Sequence, residues 1–227
     1  MSGLFLTVEG LGGTGKSTLS KKIAKWFDDA QVPNILTFEP GGCDTANYLR
    51  KLCREGLPGC EELTPMGKAL LFNTARAEHV KKVIQPALEA GKVVISDRYM
   101  MTTMGYQGIG EGVPLFTLSE IHHHAIGLVP DLTFMMQGDP EVFMARVSGE
   151  EKSTDQFDRW ELSLNERIQD YYDQVVKSRP DLYIGVDAEQ DPEQMFAQVL
   201  PTLMKIQNDR IQRPKYCESI KIPPSLR

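Results

Sequence analysis

The chain has 227 residues, 41% hydrophobic and 25% charged, with a formal net charge of −6. That length can bury a core without disulfides or a structural metal, and the acidic balance argues against general affinity for nucleic acid or anionic membrane. Its cysteines, Cys43, Cys53, Cys60 and Cys217, show no C-x-x-C spacing and read as free thiols of a reducing compartment.

LFLTVE (4–9) is a short apolar run that feeds directly into glycines and then into a helical pattern, KSTLSKKIAKWFDDA (16–30). It begins almost at Met1, and no apolar run reaches membrane-spanning length, so no signal peptide and a cytoplasmic location are expected. Further apolar runs follow at NILTF (34–38), KVVIS (92–96), DLTFMM (131–136) and LYIGV (182–186). Helical patterns lie between them at 46–56, 115–127, 140–148, 158–178 and 191–208. The longest starts at Thr64-Pro65, an N-cap and N1 pair, and runs to Gly91 with a kink expected at Pro86. Strands alternating with helices predict an α/β fold, a parallel five-stranded sheet flanked by helices with ligands at the strands' carboxyl ends. One domain is expected over 1–205 and an extension over 206–227. The polar stretch from about 147 to 158 reads as a lid or a solvated loop.

Gly10-Leu-Gly12-Gly13-Thr14-Gly15-Lys16-Ser17 fits G-x-x-x-x-G-K-[ST], the P-loop of the NTPase three-layer sandwich. Its glycines let successive N–H groups face one concavity, and the following helix adds its dipole. Gly10, Gly12, Gly13, Thr14, Gly15, Lys16, Ser17 and Thr18 are therefore the expected ATP-binding set. Lys16 would reach the β/γ-phosphates and Ser17 would ligate Mg²⁺. Asp97, directly after the apolar VVIS, can hold the metal's water shell. The loop is similar to those of filament-forming and partitioning ATPases, which carry a second lysine ahead of the glycine pair. Leu11 stands there instead and argues against a switch protein.

Beyond the loop, FEPGG (38–42), LLFNTARAEHV (70–80), ISDRYMMTTMGYQG (95–108), PDLT (130–133), DRWE (158–161) and VDA (186–188) occur in an order and spacing that resemble thymidylate kinase. The resemblance covers about residues 3–205 and implies transfer of the ATP γ-phosphate to dTMP, a Mg²⁺ cofactor and a homodimer. It implies that Phe72 stacks on thymine and Arg76 bonds its O4, the two being four apart on one helical face. Thr103 would face the base N3, and Tyr106, with Gln107 beside it, would sit against the 2′ side of the sugar. Arg50 and Arg98 would hold the acceptor phosphate, with Glu39 close by. Independently of the name, a monophosphate acceptor is already ionised near neutral pH and needs no general base. What it needs is positioned cations, and Lys16, Arg50, Arg98 and Arg159 are candidates.

The chain departs from the family pattern in three places. Gly12 stands where an acidic residue usually meets the sugar 3′-OH, which removes a charge-assisted bond worth roughly 1.5–3 kcal/mol. Phe38 stands where the family has arginine. The arginine some relatives carry in the loop is Gly13 here, and 147–157 offers only Lys152. Arg159 is therefore expected to stabilise the transferring phosphoryl and Arg146 to stack on adenine, with Lys16, Arg98 and Arg159 as the catalytic set.

Three alternatives stay open: a broader deoxynucleoside monophosphate kinase, a deoxynucleoside kinase using Glu39 as base, and a P-loop protein whose ATP drives assembly. His122-His123-His124 is not expected to bind metal, because consecutive helical side chains point about 100° apart. Cys43 reads as a small residue in a tight turn. Met100, Met101, Met104, Met135 and Met136 read as core.

Overall fold

The computed structural model describes residues 3–56, 61–148 and 162–209. Five parallel strands, β1 (Leu4–Glu9), β2 (Asn34–Phe38), β3 (Val93–Asp97), β4 (Leu132–Gln137) and β5 (Tyr183–Asp187), form one sheet in the order β2-β3-β1-β4-β5. The central strands β3, β1 and β4 are buried along nearly their whole length, as expected of a sheet covered on both faces. The flanking β2 and β5 are more open, each with a single buried residue, Thr37 and Val186.

Helices α1 (Lys16–Asp29) and α9 (Pro192–Asp209) pack against each other and the sheet. A second group comprises α3 (Pro65–His79), α5 (Met100–Thr103), α6 (Leu115–Ala125) and α8 (Leu162–Ser178), joined through a π-helical segment at Met104–Gly110. α2 (Asp44–Glu55) lies on α3, and α7 (Pro140–Ser148) on α8. Phe5, Leu6, Val8, Ile23, Ile95 and Phe134 anchor a core in which the methionines Met100, Met101, Met104, Met135 and Met136 are all buried. No helix of the described residues is long and apolar enough to cross a membrane.

The long helix starts as the sequence implies: Thr64 Oγ1 accepts from Gly67 N at 3.1 Å, and Pro65 takes the first turn. The expected break at Pro86 takes the form of a π-helical turn at Val80–Ile84, followed by α4 (Gln85–Glu89). β3 includes Asp97, one residue beyond the predicted strand, and β4 and β5 each end one residue later as well. α9 continues through Asp209, so a helix crosses the boundary expected at 205. Most of the predicted lid, including Lys152, together with Arg159 just after it and the tail from 210, lies outside the described residues.

Candidate active site

β1 is the middle strand, and its carboxyl end opens into the glycine loop. Gly13 (φ 74°) and Gly15 (φ 81°) take the left-handed conformation that turns the chain into α1. Among the described residues no side chain caps α1, and its first turn holds no acidic residue. Its N–H groups and positive dipole end are thus left for an anion. Thr14 Oγ1 donates to the Leu11 carbonyl at 2.9 Å, tying the loop to itself. The buried Lys16 ammonium also donates to the Leu11 carbonyl, and to Thr14 Oγ1 at 3.2 Å.

A cleft of about 1030 Å³ opens over this loop. Gly12, Gly13, Gly15, Lys16, Ser17 and Thr18 line it from the loop side, Glu39, Arg50, Asp97 and Arg98 from the β2–β3 side, and Arg146 from α7. The strand order causes this convergence, since β3 neighbours β1 and delivers Asp97 and Arg98 beside the loop. Ser17 Oγ donates to Asp97 Oδ2, while Asp97 Oδ1 is buried with no hydrogen-bond partner among the described residues. A hydroxyl and one carboxylate are hard oxygen donors suited to Mg²⁺, which keeps most of its water and takes phosphate oxygens besides. The described residues hold no cluster of three or more His, Cys, Asp or Glu able to cage an ion.

Arg98 is a non-glycine residue in the left-handed region, at φ 73°. Such a conformation persists when its surroundings over-determine it. Here the Arg98 N–H donates to the Val8 carbonyl at 2.9 Å, its carbonyl accepts from Ser96 Oγ at 2.7 Å, and Nη1 donates to the Gly10 carbonyl at 2.9 Å. The Tyr106 ring lies 5.7 Å from the guanidinium. Burial opposes the Arg98 charge, but Tyr106, Asp97, Tyr172 and Glu9 outweigh it and raise its pKa.

Arg76 lies deeper, buried with Asn73, Thr103, Tyr106 and Gln107 behind the cleft lining. Its Nε donates to Glu39 Oε2 at 2.7 Å, Nη1 to Asn73 Oδ1 at 3.2 Å, and Nη2 to the Tyr99 carbonyl at 2.9 Å and Thr103 Oγ1 at 3.1 Å. Arg76 and Thr103, predicted to read adjacent edges of one base, are therefore directly bonded. Phe72 is half-buried one turn earlier on α3. Gln107 Nε2 donates to Glu111 Oε2 at 3.4 Å. Arg146 reaches the β5–α9 loop, donating to the Ala188 carbonyl at 2.6 Å and the Glu189 carbonyl at 3.1 Å.

Two residues of this architecture carried no role in the sequence reading. Glu9 is fully buried, and its carboxylate accepts from the Tyr99 and Met101 N–H groups at 2.8 and 3.0 Å and from Thr102 Oγ1 at 2.6 Å. Burial raises its pKa against these bonds and the charges of Arg98 and Arg76. A carboxylate ending an otherwise apolar strand was the available signal, because a buried acid must find donors. His79 is the other, joining Glu39 Oε1 (3.0 Å) to Thr37 Oγ1 (2.7 Å). As for the histidine triplet, only His122 is buried, with Nε2 on the Leu128 carbonyl at 2.9 Å.

The family model described as thymidylate kinase matches residues 8–199. Thymidylate kinase of Symbiobacterium thermophilum is 36% identical over 193 residues, 85% of this chain and 88% of that protein. That of Carboxydothermus hydrogenoformans is 36% identical over 200 residues, covering 88% and 96%. A crystal structure of thymidylate kinase from Ehrlichia chaffeensis superposes with a TM-score of 0.69 at 25% identity, over 90% of this chain and 99% of the other. A P-loop on the central strand, cations gathered across the cleft from it and these matches over most of the length agree: the chain is a phosphotransferase belonging to the thymidylate kinase family.

Proposed function

We propose that the cleft takes ATP on the β1, β4 and β5 side and dTMP on the β2 and β3 side, and moves the γ-phosphate between them. The observation that carries this reading is that Arg50 and Arg98 line the same cleft as the P-loop. Cations in that position suit an acceptor that already bears phosphate. The acceptor oxygen is ionised at neutral pH, so the protein's task is alignment and charge neutralisation.

The loop N–H groups and Lys16 hold the β- and γ-phosphates, and Arg146 stacks on adenine beside the β5–α9 loop. Ser17 and Asp97 hold Mg²⁺, which when bound shields the phosphate charge. Arg50 and Arg98 hold the dTMP phosphate. Phe72 stacks on thymine, Arg76 and Thr103 read its edge, and Tyr106 and Gln107 close the sugar side. Gly13 leaves no room for an arginine: a Cβ there would sit 2.2 Å from the Phe143 carbonyl oxygen. The cation on the transferring phosphoryl must then come from elsewhere, and we assign it to Arg159.

Glu39 argues against a nucleoside acceptor. Its side chain is only 3% exposed and ion-paired to Arg76, with His79 on its other oxygen. Protonating it as a base would strand a buried guanidinium. The test is ADP release with Mg-ATP and, separately, dTMP, dUMP, dGMP, dCMP, UMP and thymidine. Fast turnover with dTMP, weak turnover with dUMP and none with thymidine is expected; turnover with thymidine but not dTMP would overturn the reading.

A homodimer is supported by Tyr48, Leu70 and Phe116, large apolar side chains 68%, 48% and 68% exposed on α2, α3 and α6, of which α3 packs against both of the others. Sedimentation at micromolar concentration should give twice the chain mass.

A further inference from the structure

We propose that Phe38 is a positioning residue for the acceptor phosphate: its ring is the shelf that holds Arg50 over the cleft. Phe38 ends β2 directly opposite Asp97 in the β2–β3 register. It remains 41% exposed, a large apolar side chain in the lining of a highly charged cleft. Two contacts explain why it stays there. The Arg50 guanidinium lies over the ring, 5.3 Å from its centroid. The ring's edge abuts Gly41, where a Cβ would come within 2.3 Å of Phe38 Cε2 and 3.0 Å of Cδ2. The ring is therefore fixed between the Gly41 backbone and the guanidinium. Arg50 Nη1 also donates to the Pro40 carbonyl at 3.2 Å, so the shelf and the turn that follows β2 orient the same group.

Arginine loses considerable rotamer freedom when its head is fixed. A shelf that fixes it beforehand removes that cost from the binding step. The effect belongs to acceptor binding: Phe38 reaches the phosphate only through Arg50, and the P-loop side is untouched. An aromatic face is required, because the attraction comes from the ring quadrupole. The proposal rests on the assignment of Arg50 to the dTMP phosphate.

The experiment is a double-mutant cycle on purified protein, with KM for dTMP, KM for ATP, kcat and the melting temperature measured for each variant. Arg50→Ala alone should raise the dTMP KM at least tenfold, which checks the underlying assignment. Phe38→Leu should raise it about three- to tenfold with kcat and the ATP KM held, and Phe38→Tyr should restore it. In the Arg50→Ala background Phe38→Leu should add nothing. Equal effects of Phe38→Leu in both backgrounds, or parallel losses in kcat, ATP KM and melting temperature, would overturn the role of Phe38 alone. An unchanged dTMP KM in Arg50→Ala would overturn the acceptor assignment and the proposal with it.

Discussion

Glu39 Oε2 and Arg76 Nε meet at 2.7 Å with both side chains almost wholly out of water, 3% and 4% exposed. Removing one partner of such a pair leaves the other charge buried and costs about 3–5 kcal/mol. Arg76→Ala should therefore lower stability by that order and weaken dTMP use far more than ATP binding. Steady-state kinetics in each substrate, taken well below the variant's melting temperature, check this. Equal losses toward dTMP and ATP would count against Arg76 as the base reader.

Asp97 accepts from Ser17 through one oxygen and leaves the other without a partner among the described residues. Asp97→Asn keeps the shape and removes the charge. Disturbing such metal-orienting groups typically costs about 10–100-fold in metal affinity or activity. The Mg²⁺ concentration for half-maximal rate should rise by that order with melting temperature nearly unchanged. A magnesium titration reads it directly.

At Gly13, φ is 74° and an added Cβ would also meet Val147 Cγ2 at 2.9 Å. Gly13→Ala should destabilise by roughly 1–3 kcal/mol through backbone strain and overpacking against α7. Gly13→Arg shares the same Cβ and should not restore any missing cation. Arg159→Ala, by contrast, should lower kcat by about 10³-fold with both KM values little changed. Single-turnover rates for the two variants separate these outcomes.

His122 is neutral in the fold, its pKa lowered to about 4 mainly by burial and then by the Arg76 charge. The unfolded chain takes up that proton near the ordinary value of 6.5. The unfolded state thus binds more protons between these values, and stability is lost as pH falls from about 6.5 to about 4. The full contribution is about 3 kcal/mol. His122→Gln, which keeps a donor for the Leu128 carbonyl, should flatten the decline. Denaturant melts at pH 7 and pH 4.5 would show it.

The P-loop, the strands and the cations around the cleft were legible because each leaves a local mark: an apolar run, a glycine spacing, an Asp97-Arg98 pair at a strand end. The segment after β3 left none. A four-residue helix and a π-helical turn share no single period, so Met100–Gly110 gave no helical pattern. Glu9 and His79 were missed for another reason. Their partners arrive from about 90 and 40 residues away, and only the tertiary fold brings them together. In the sequence Phe38 shows only the absence of an arginine, because its partner, 12 positions along, sits on a separate helix.

Lys16 is bonded to the loop it belongs to, through the Leu11 carbonyl and Thr14 Oγ1. An incoming donor must exchange those bonds for charge-assisted ones to phosphate oxygens, and in the proposed pose it is the β- and γ-phosphates that reach Lys16. Adenosine has no phosphate, and AMP lacks the β- and γ-phosphates assigned to Lys16 in that pose. If Lys16 holds the β- and γ-phosphates as proposed, the loop should screen donors by phosphate-chain length, with ADP competing against ATP more strongly than AMP or adenosine does.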